Sequence, residues 1–259
     1  MLHNAPKNSA YAGANYLIEG MRLLMHPKLR VYILVPLLVN IVLFVILTST
    51  LLTYMTSLFS DAPSLFPEWL QPWVAPFKWI AWIILGAFFI IIYGYSFNII
   101  TNIIAAPFYG LLAQATEKLI TGEEPPSEPL SKMIPRVFLR EISKVLYFLL
   151  RGMLVILLMF LVGLIPLLQF TAPIIGLLWG AWAMSIQYVD YAADNNQLEF
   201  SDMRNCLWKR IRASLGFGSL VMGCSMIPIV NIFAMPAAVT GGTAYWVNEL
   251  RSCHKPRKQ

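Results

Sequence analysis

The chain is 259 residues long, 58% hydrophobic and only 12% charged, with a mean hydropathy of +0.65. Soluble domains carry about 25% charged residues, so this composition excludes an ordinary soluble enzyme or nucleic-acid-binding module and predicts an integral membrane protein. The excess of 19 Lys+Arg over 13 Asp+Glu is typical of a membrane protein with basic cytoplasmic loops.

Residues 1–30 begin polar and turn amphipathic. Tyr16, Leu17, Met21, Leu24 and Met25 recur at helical spacing and predict an interfacial helix. No apolar core of a secretory leader is found there. Pro27 suits the first position of a new helix, where its missing N–H costs nothing. Residues 31–53 are uncharged and long enough to span, giving a first crossing. Residues 54–78 form a Pro- and Trp-rich loop, with Trp69 and Trp73 suited to a membrane-water interface. A second crossing with an extension covers 79–116, and Pro107 is its natural kink. Residues 117–151 are charged and helical, as expected of a cytoplasmic segment.

The uncharged run 152–189 is broken by Pro166 and Pro173. Its arms, 153–165 and 174–189, are short against the roughly 20 residues of a full crossing. A hairpin that dips into the bilayer is the expected shape, with Gln169, Phe170 and Thr171 at its tip. After a basic segment, 190–212, the shape returns in 213–248, ahead of a basic tail, 249–259. At an offset of 62 residues Pro166 aligns with Pro228, Gln169 with Asn231 and Gly180 with Gly242. Paired Pro-interrupted apolar segments point to a transport site, although two ordinary helical hairpins would read the same way. The predicted fold is therefore all-α: two long transmembrane helices, two pairs of half-penetrating (re-entrant) hairpins, and amphipathic or cytoplasmic helices.

Only one Lys or Arg, Lys78, falls in the 54–78 loop; the other 18 lie elsewhere. The loop is accordingly expected outside and both termini inside. A backbone turn at membrane depth must be buried in protein or line water, so re-entrant tips are expected to meet a polar pathway or another copy.

With Pro27 opening a helix, the N–H groups of Lys28, Leu29 and Arg30 lack intrahelical acceptors and form an anion cradle, with two cationic side chains beside it. The plain alternative is a basic anchor at the membrane edge. A candidate pathway comprises Asn98, Asn102, Arg136, Arg140, Glu141, Arg151, Gln169, Asp190, Asp194 and Asn231, as ionisable groups at hairpin mouths or polar groups at depth. Solvation at the surface and interhelical hydrogen bonding are their ordinary roles. Cys206, Cys224 and Cys253, with His3, His26 and His254, give no metal spacing, disulfide framework or catalytic triad. No cofactor, metal or enzymatic activity is expected.

Four blocks carry a resemblance to a known family. They are Gly13-Ala-Asn-Tyr-Leu-Ile-Glu-Gly20 with His26-Pro-Lys-Leu-Arg30 and Val35-Pro-Leu-Leu-Val-Asn40; Asn102-Ile-Ile-Ala-Ala-Pro-Phe-Tyr-Gly-Leu-Leu-Ala113; Ala183-Met-Ser-Ile-Gln-Tyr-Val-Asp-Tyr-Ala-Ala-Asp-Asn195; and Met226-Ile-Pro-Ile-Val-Asn-Ile-Phe-Ala-Met-Pro236. In this order they resemble the CysZ sulfate permeases. The resemblance implies a multi-pass protein of the bacterial inner membrane that admits sulfate for cysteine synthesis. It also implies a homo-oligomer in the lipid bilayer, and sulfate bound at a Gly-Leu-Arg element heading the first crossing. That element reads Lys28-Leu29-Arg30 here. A membrane assembly or scaffolding protein without transport activity is the competing reading.

Overall fold

The computed structural model describes residues 8–61, 78–126 and 128–253. Among them the structure is helical: α1 Ala10–Leu24, α2 Pro27–Asp61, α3 Lys78–Thr121, α4 Leu130–Gly163, α5 Ala172–Asn195, α6 Phe200–Lys209, α7 Ile211–Ser225 and α8 Pro228–Tyr245. A π-helical turn, Trp246–Leu250, and a 3-10 turn, Arg251–Cys253, follow. The chain divides into two compact units. One holds Ile33–Phe108; the other holds Met1–Tyr32 and Tyr109–Gln259.

Local chemistry sets the helix ends. The Ser9 side chain caps α1 by accepting from the Ala12 N–H at 3.1 Å. Pro27 opens α2, as its fixed φ favours. Gly122, at φ 77°, stops α3, with its N–H on the Lys118 carbonyl at 2.9 Å; a glycine reaches this left-handed conformation without strain. Helix α3 runs unbroken through Pro107.

Both predicted crossings lie within single helices, α2 and α3. Most of the 54–78 loop, with Trp69 and Trp73, lies outside the described residues, as does the tail beyond Cys253. In the Ile33–Phe108 unit, the Thr48 and Tyr93 hydroxyls hydrogen-bond at 2.6 Å, and Phe44 packs edge-on to the Tyr93 ring.

The first hairpin breaks where expected. Helix α4 ends at Gly163, Leu167 takes φ 73°, Gln169–Thr171 forms a 3-10 turn, and Pro173 opens α5. Its helices are longer than the predicted arms. Pro135–Gly163 and Gln169–Asn195 are each long and apolar enough to cross a membrane. The charges of 136–151 and 190–194 bound the uncharged run without ending the helices; in the structure most of those charges pair internally.

The tip also differs from expectation. Its backbone donors bond locally: Ile165 N–H to Val162 O, Gln169 N–H to Ile165 O and Thr171 N–H to Leu168 O. Leu167 and Phe170 are exposed, so the tip also presents apolar side chains. In the second hairpin the turn is only Met226 and Ile227. Helix α8 starts at Pro228 and continues through Pro236, so Asn231 sits in a first helical turn, not in a loop. Pro236 is tolerated inside the packed core, where the Thr240 hydroxyl donates back to the Pro236 carbonyl at 3.2 Å.

The core of the larger unit is built on close backbone approach. A Cβ at Gly13 would stand 1.8 Å from the Ala213 carbonyl oxygen, and one at Gly20 would stand 2.2 Å from that of Ala237. Helix α1 therefore lies against α7 and α8, with Tyr16, Leu17 and Leu24 buried. Of the apolar stripe expected at the membrane interface, Tyr16, Leu17 and Leu24 are covered by protein, while Met25 stays exposed.

Candidate functional site

Two groups of predicted residues can be placed. The first is the start of α2. Lys28 and Arg30 are exposed, while Leu29 is 0% exposed and acts as a packing residue. Two of the three N–H groups of the predicted cradle have acceptors. The Lys28 N–H points to His26 Nδ1 at 3.3 Å, and the Leu29 N–H bonds the His26 carbonyl at 3.0 Å. His26, directly before the proline, supplies acceptors that the spacing argument did not count. The Arg30 guanidinium turns back on the Met25 carbonyl, through Nε at 3.3 Å and Nη2 at 3.1 Å. Both contacts are exposed and made to a neutral oxygen, so a dianion can compete for them.

The second group lies between α4 and α5. Arg136, Arg140 and Lys144 recur every fourth residue on α4, and Asp190 and Asp194 do so on α5. Each set therefore lines one helix face. Arg140 Nη2 meets Asp190 Oδ1 at 2.6 Å, its Nε lies 3.0 and 3.2 Å from the two Asp190 oxygens, and its Nη1 donates to the Leu198 carbonyl. Arg136 pairs with Asp194 and, at 2.9 Å, with Glu128. Lys144 Nζ stands 2.6 Å from Glu141 Oε1 and 3.1 Å from Asp190 Oδ2. Neither lysine contact is directed well enough to be a hydrogen bond, so both act through charge.

The side chains of Lys144 and Asp190 are each 2% exposed. Charges this deep persist only because they are mutually compensated. Three cations face four carboxylates, Glu128, Glu141, Asp190 and Asp194, so the cluster carries one formal negative charge.

Of the predicted pathway residues, Arg136, Arg140, Glu141, Asp190 and Asp194 come together here. Arg151 and Gln169 do not join them; both are exposed on α4 and at the hairpin tip. Asn231 is half-buried, and its Oδ1 is buried with no hydrogen-bond partner among the described residues. The side chains of Asn98 and Asn102 lie outside the described residues. Sequence reasoning missed Lys144 and Glu128 as members of the cluster. The stripe Arg136, Arg140, Lys144 is visible in the sequence, but the pairing of Lys144 with Asp190, 46 residues away, is not.

It also missed a second buried group. Glu249 takes a hydrogen bond from the Tyr16 hydroxyl at 3.3 Å and pairs with Arg210. Burial, reinforced by the Glu249 charge, pushes the Tyr16 phenol well above its ordinary range, which keeps it a donor. This group ties α1 to the C-terminal π turn. No run of charges marks it in sequence, because its three residues come from three distant segments.

Residues 16–236 match the family described as sulfate transporter CysZ/etoposide-induced protein 2.4. Relatives named sulfate transporter CysZ align over nearly the whole chain. The protein of Pseudomonas fluorescens is 40% identical over 244 residues, covering 92% of this chain and 94% of its own. That of Pectobacterium atrosepticum is 35% identical over 253 residues, covering 96% and 90%. That of Pseudomonas paraeruginosa is 35% identical over 244 residues, covering 93% and 96%. By both measures the chain belongs to the sulfate transporter CysZ/etoposide-induced protein 2.4 family, a family of transporters and not of enzymes.

Proposed function

We propose that the protein is a sulfate permease of the bacterial inner membrane, admitting sulfate for assimilation into cysteine. The observation that carries this reading is the full-length identity of 35–40% to relatives named as sulfate transporters. The chain would be multi-pass and homo-oligomeric, with the 54–78 loop in the periplasm and both termini in the cytoplasm. Sulfate would be met first at the start of α2. There the exposed Lys28 and Arg30 side chains stand at the positive end of a helix. The remaining pathway would run through Asn98, Asn102, the α4–α5 cluster, Gln169 and Asn231.

Both hairpins would enter the bilayer part-way. The exposed Arg151 supports this for the first, because a lipid-facing arginine favours the membrane surface. Residues 152–163 then rise only about 18 Å from it, against a hydrocarbon thickness of about 30 Å. Helix α7 of the second hairpin, at 15 residues, is likewise short of a span.

Uptake of labelled sulfate into liposomes containing the purified protein tests the reading. Flux that saturates with sulfate, and that chloride does not match, is the expected result. Protein-containing liposomes no more permeable than empty ones would leave the scaffolding role instead.

A further inference from the structure

Away from the α2 start and the buried cluster, the mouth of the first hairpin carries a patch of rings and cations. Tyr147 lies one turn before Arg151 on α4. Its hydroxyl accepts from Trp182 Nε1 of α5 at 3.0 Å. Trp182 in turn meets the Trp208 ring of α6 edge-on, with centroids 5.8 Å apart. The Arg204 guanidinium of α6 stands 4.3 Å from the Tyr147 ring centroid, a cation–π geometry that fixes its position. Trp179 Nε1 lies beside Gly152, 3.9 Å from where a Cβ would stand, and so reaches the position next to Arg151.

Three helices thus bring Tyr147, Trp179, Trp182, Trp208, Arg151 and Arg204 to one level. Trp208 is 66% exposed, a large ring left facing outward. Among the described residues neither arginine enters an ion pair, in contrast to the saturated cations about two to four turns earlier on α4. Arg151 is flanked on α4 by the exposed Leu149, Leu150, Met153 and Leu154.

We infer that this patch binds the headgroup of an anionic phospholipid. Indole and phenol rings favour the boundary between headgroups and hydrocarbon, where one side is apolar and the other wet. Arginines at that level gain by pairing with a lipid phosphate, which their planar fork fits. The apolar flanks of Arg151 fit acyl chains and offer nothing to a free inorganic anion, so charge and apolar surface together select a lipid. The patch shares no residue with the α2 start or the buried cluster; Arg151, a pathway candidate by sequence, stays outside that cluster with its side chain exposed.

The test is native mass spectrometry of the detergent-purified protein incubated with equimolar phosphatidylglycerol and phosphatidylcholine. The wild type is expected to retain phosphatidylglycerol preferentially. Arg151→Gln should weaken that preference about fivefold, the effect of one basic residue near an anionic surface. Arg204→Gln should do the same; Arg204→Lys, which keeps the charge, should restore much of it. Arg151 has no polar partner among the described residues, so Arg151→Gln should fold normally and carries the test even if the Arg204 variants do not. Arg22→Gln, an exposed arginine on α1, should leave the preference unchanged. Equal retention of both lipids by the wild type overturns the inference. So does a preference untouched in Arg151→Gln, or displacement of the lipid by millimolar inorganic phosphate alone.

Discussion

The start of α2 and the α4–α5 interface use the same raw material, basic side chains set along a helix, and hold it in opposite ways. At the start of α2, the Lys28 and Arg30 side chains are exposed, and the Arg30 guanidinium makes only weak contacts with the neutral Met25 carbonyl. At the α4–α5 interface, Arg140 and Lys144 are nearly sealed off and every cation meets carboxylates. An exposed cation held by neutral oxygens can exchange them for an incoming dianion at small cost. A buried cation already matched by carboxylates can accept a ligand only by breaking strong pairs. The first arrangement suits recognition and the second suits rigidity; if anions do pass the cluster, a carboxylate must give way first.

Removing the matching charge from the buried cluster should have the largest effect. Asp190→Ala leaves Arg140 and Lys144 facing only Glu141 and Asp194, and should cost about 3–5 kcal/mol of stability. A drop in the thermal midpoint of the detergent-purified protein checks this. A variant as stable as wild type would mean that the cluster is hydrated and open, and the contrast with α2 would collapse.

The α2 start should respond in affinity and not in stability. Charge-assisted hydrogen bonds contribute about 1.5–3 kcal/mol each, so Arg30→Ala should weaken sulfate binding roughly tenfold with little change in midpoint. Lys28→Ala should do less, since a flexible ammonium is more easily replaced by water than a guanidinium fork. Isothermal titration with sulfate measures both, and unchanged affinity in Arg30→Ala would return this turn to a membrane-edge anchor.

Glu19 on α1 sharpens the comparison from between, being partly buried yet poorly matched. Its Oε2 has no hydrogen-bond partner, and burial raises its carboxyl above the ordinary carboxylate range, with Arg22 offsetting part of the shift. The folded state then holds the proton more tightly than the unfolded state. Stability must fall as pH rises from the ordinary value through the raised one. Glu19→Gln should therefore be more stable than wild type at neutral pH. The gain should vanish below about pH 4.3, where both forms are neutral. This is the smallest of the expected effects, read from thermal midpoints across pH; a gain that persists in acid would point to packing instead.

The uncharged stretches and the prolines were strong signals. Pro27, Pro166 and Pro173 mark helix boundaries because a proline's geometry acts within one turn and needs no partner. Pro236 marks none, because its neighbours in the packed core, unknown from local sequence, support a helix through it. The α4 and α5 charges misled for the same reason: a charge reads as surface until its partner is known, and Asp190 lies 50 residues from Arg140. The His26 contacts at α2 are local but depend on side-chain direction, which spacing does not carry.

The docking of α1 has a consequence for how the chain is made. Its glycine contacts lie with Ala213, Ala237 and Gly241, near the other end of the polypeptide. At synthesis rates of about 5–20 residues per second, α1 must wait on the order of ten to forty seconds after emerging before those partners exist. Its buried face, with Tyr16, Leu17 and Leu24, stays uncovered throughout that interval. An amphipathic helix can spend the time lying on the membrane surface. The periodicity that reads as interfacial in the sequence would then describe the nascent chain, and the glycines the finished one.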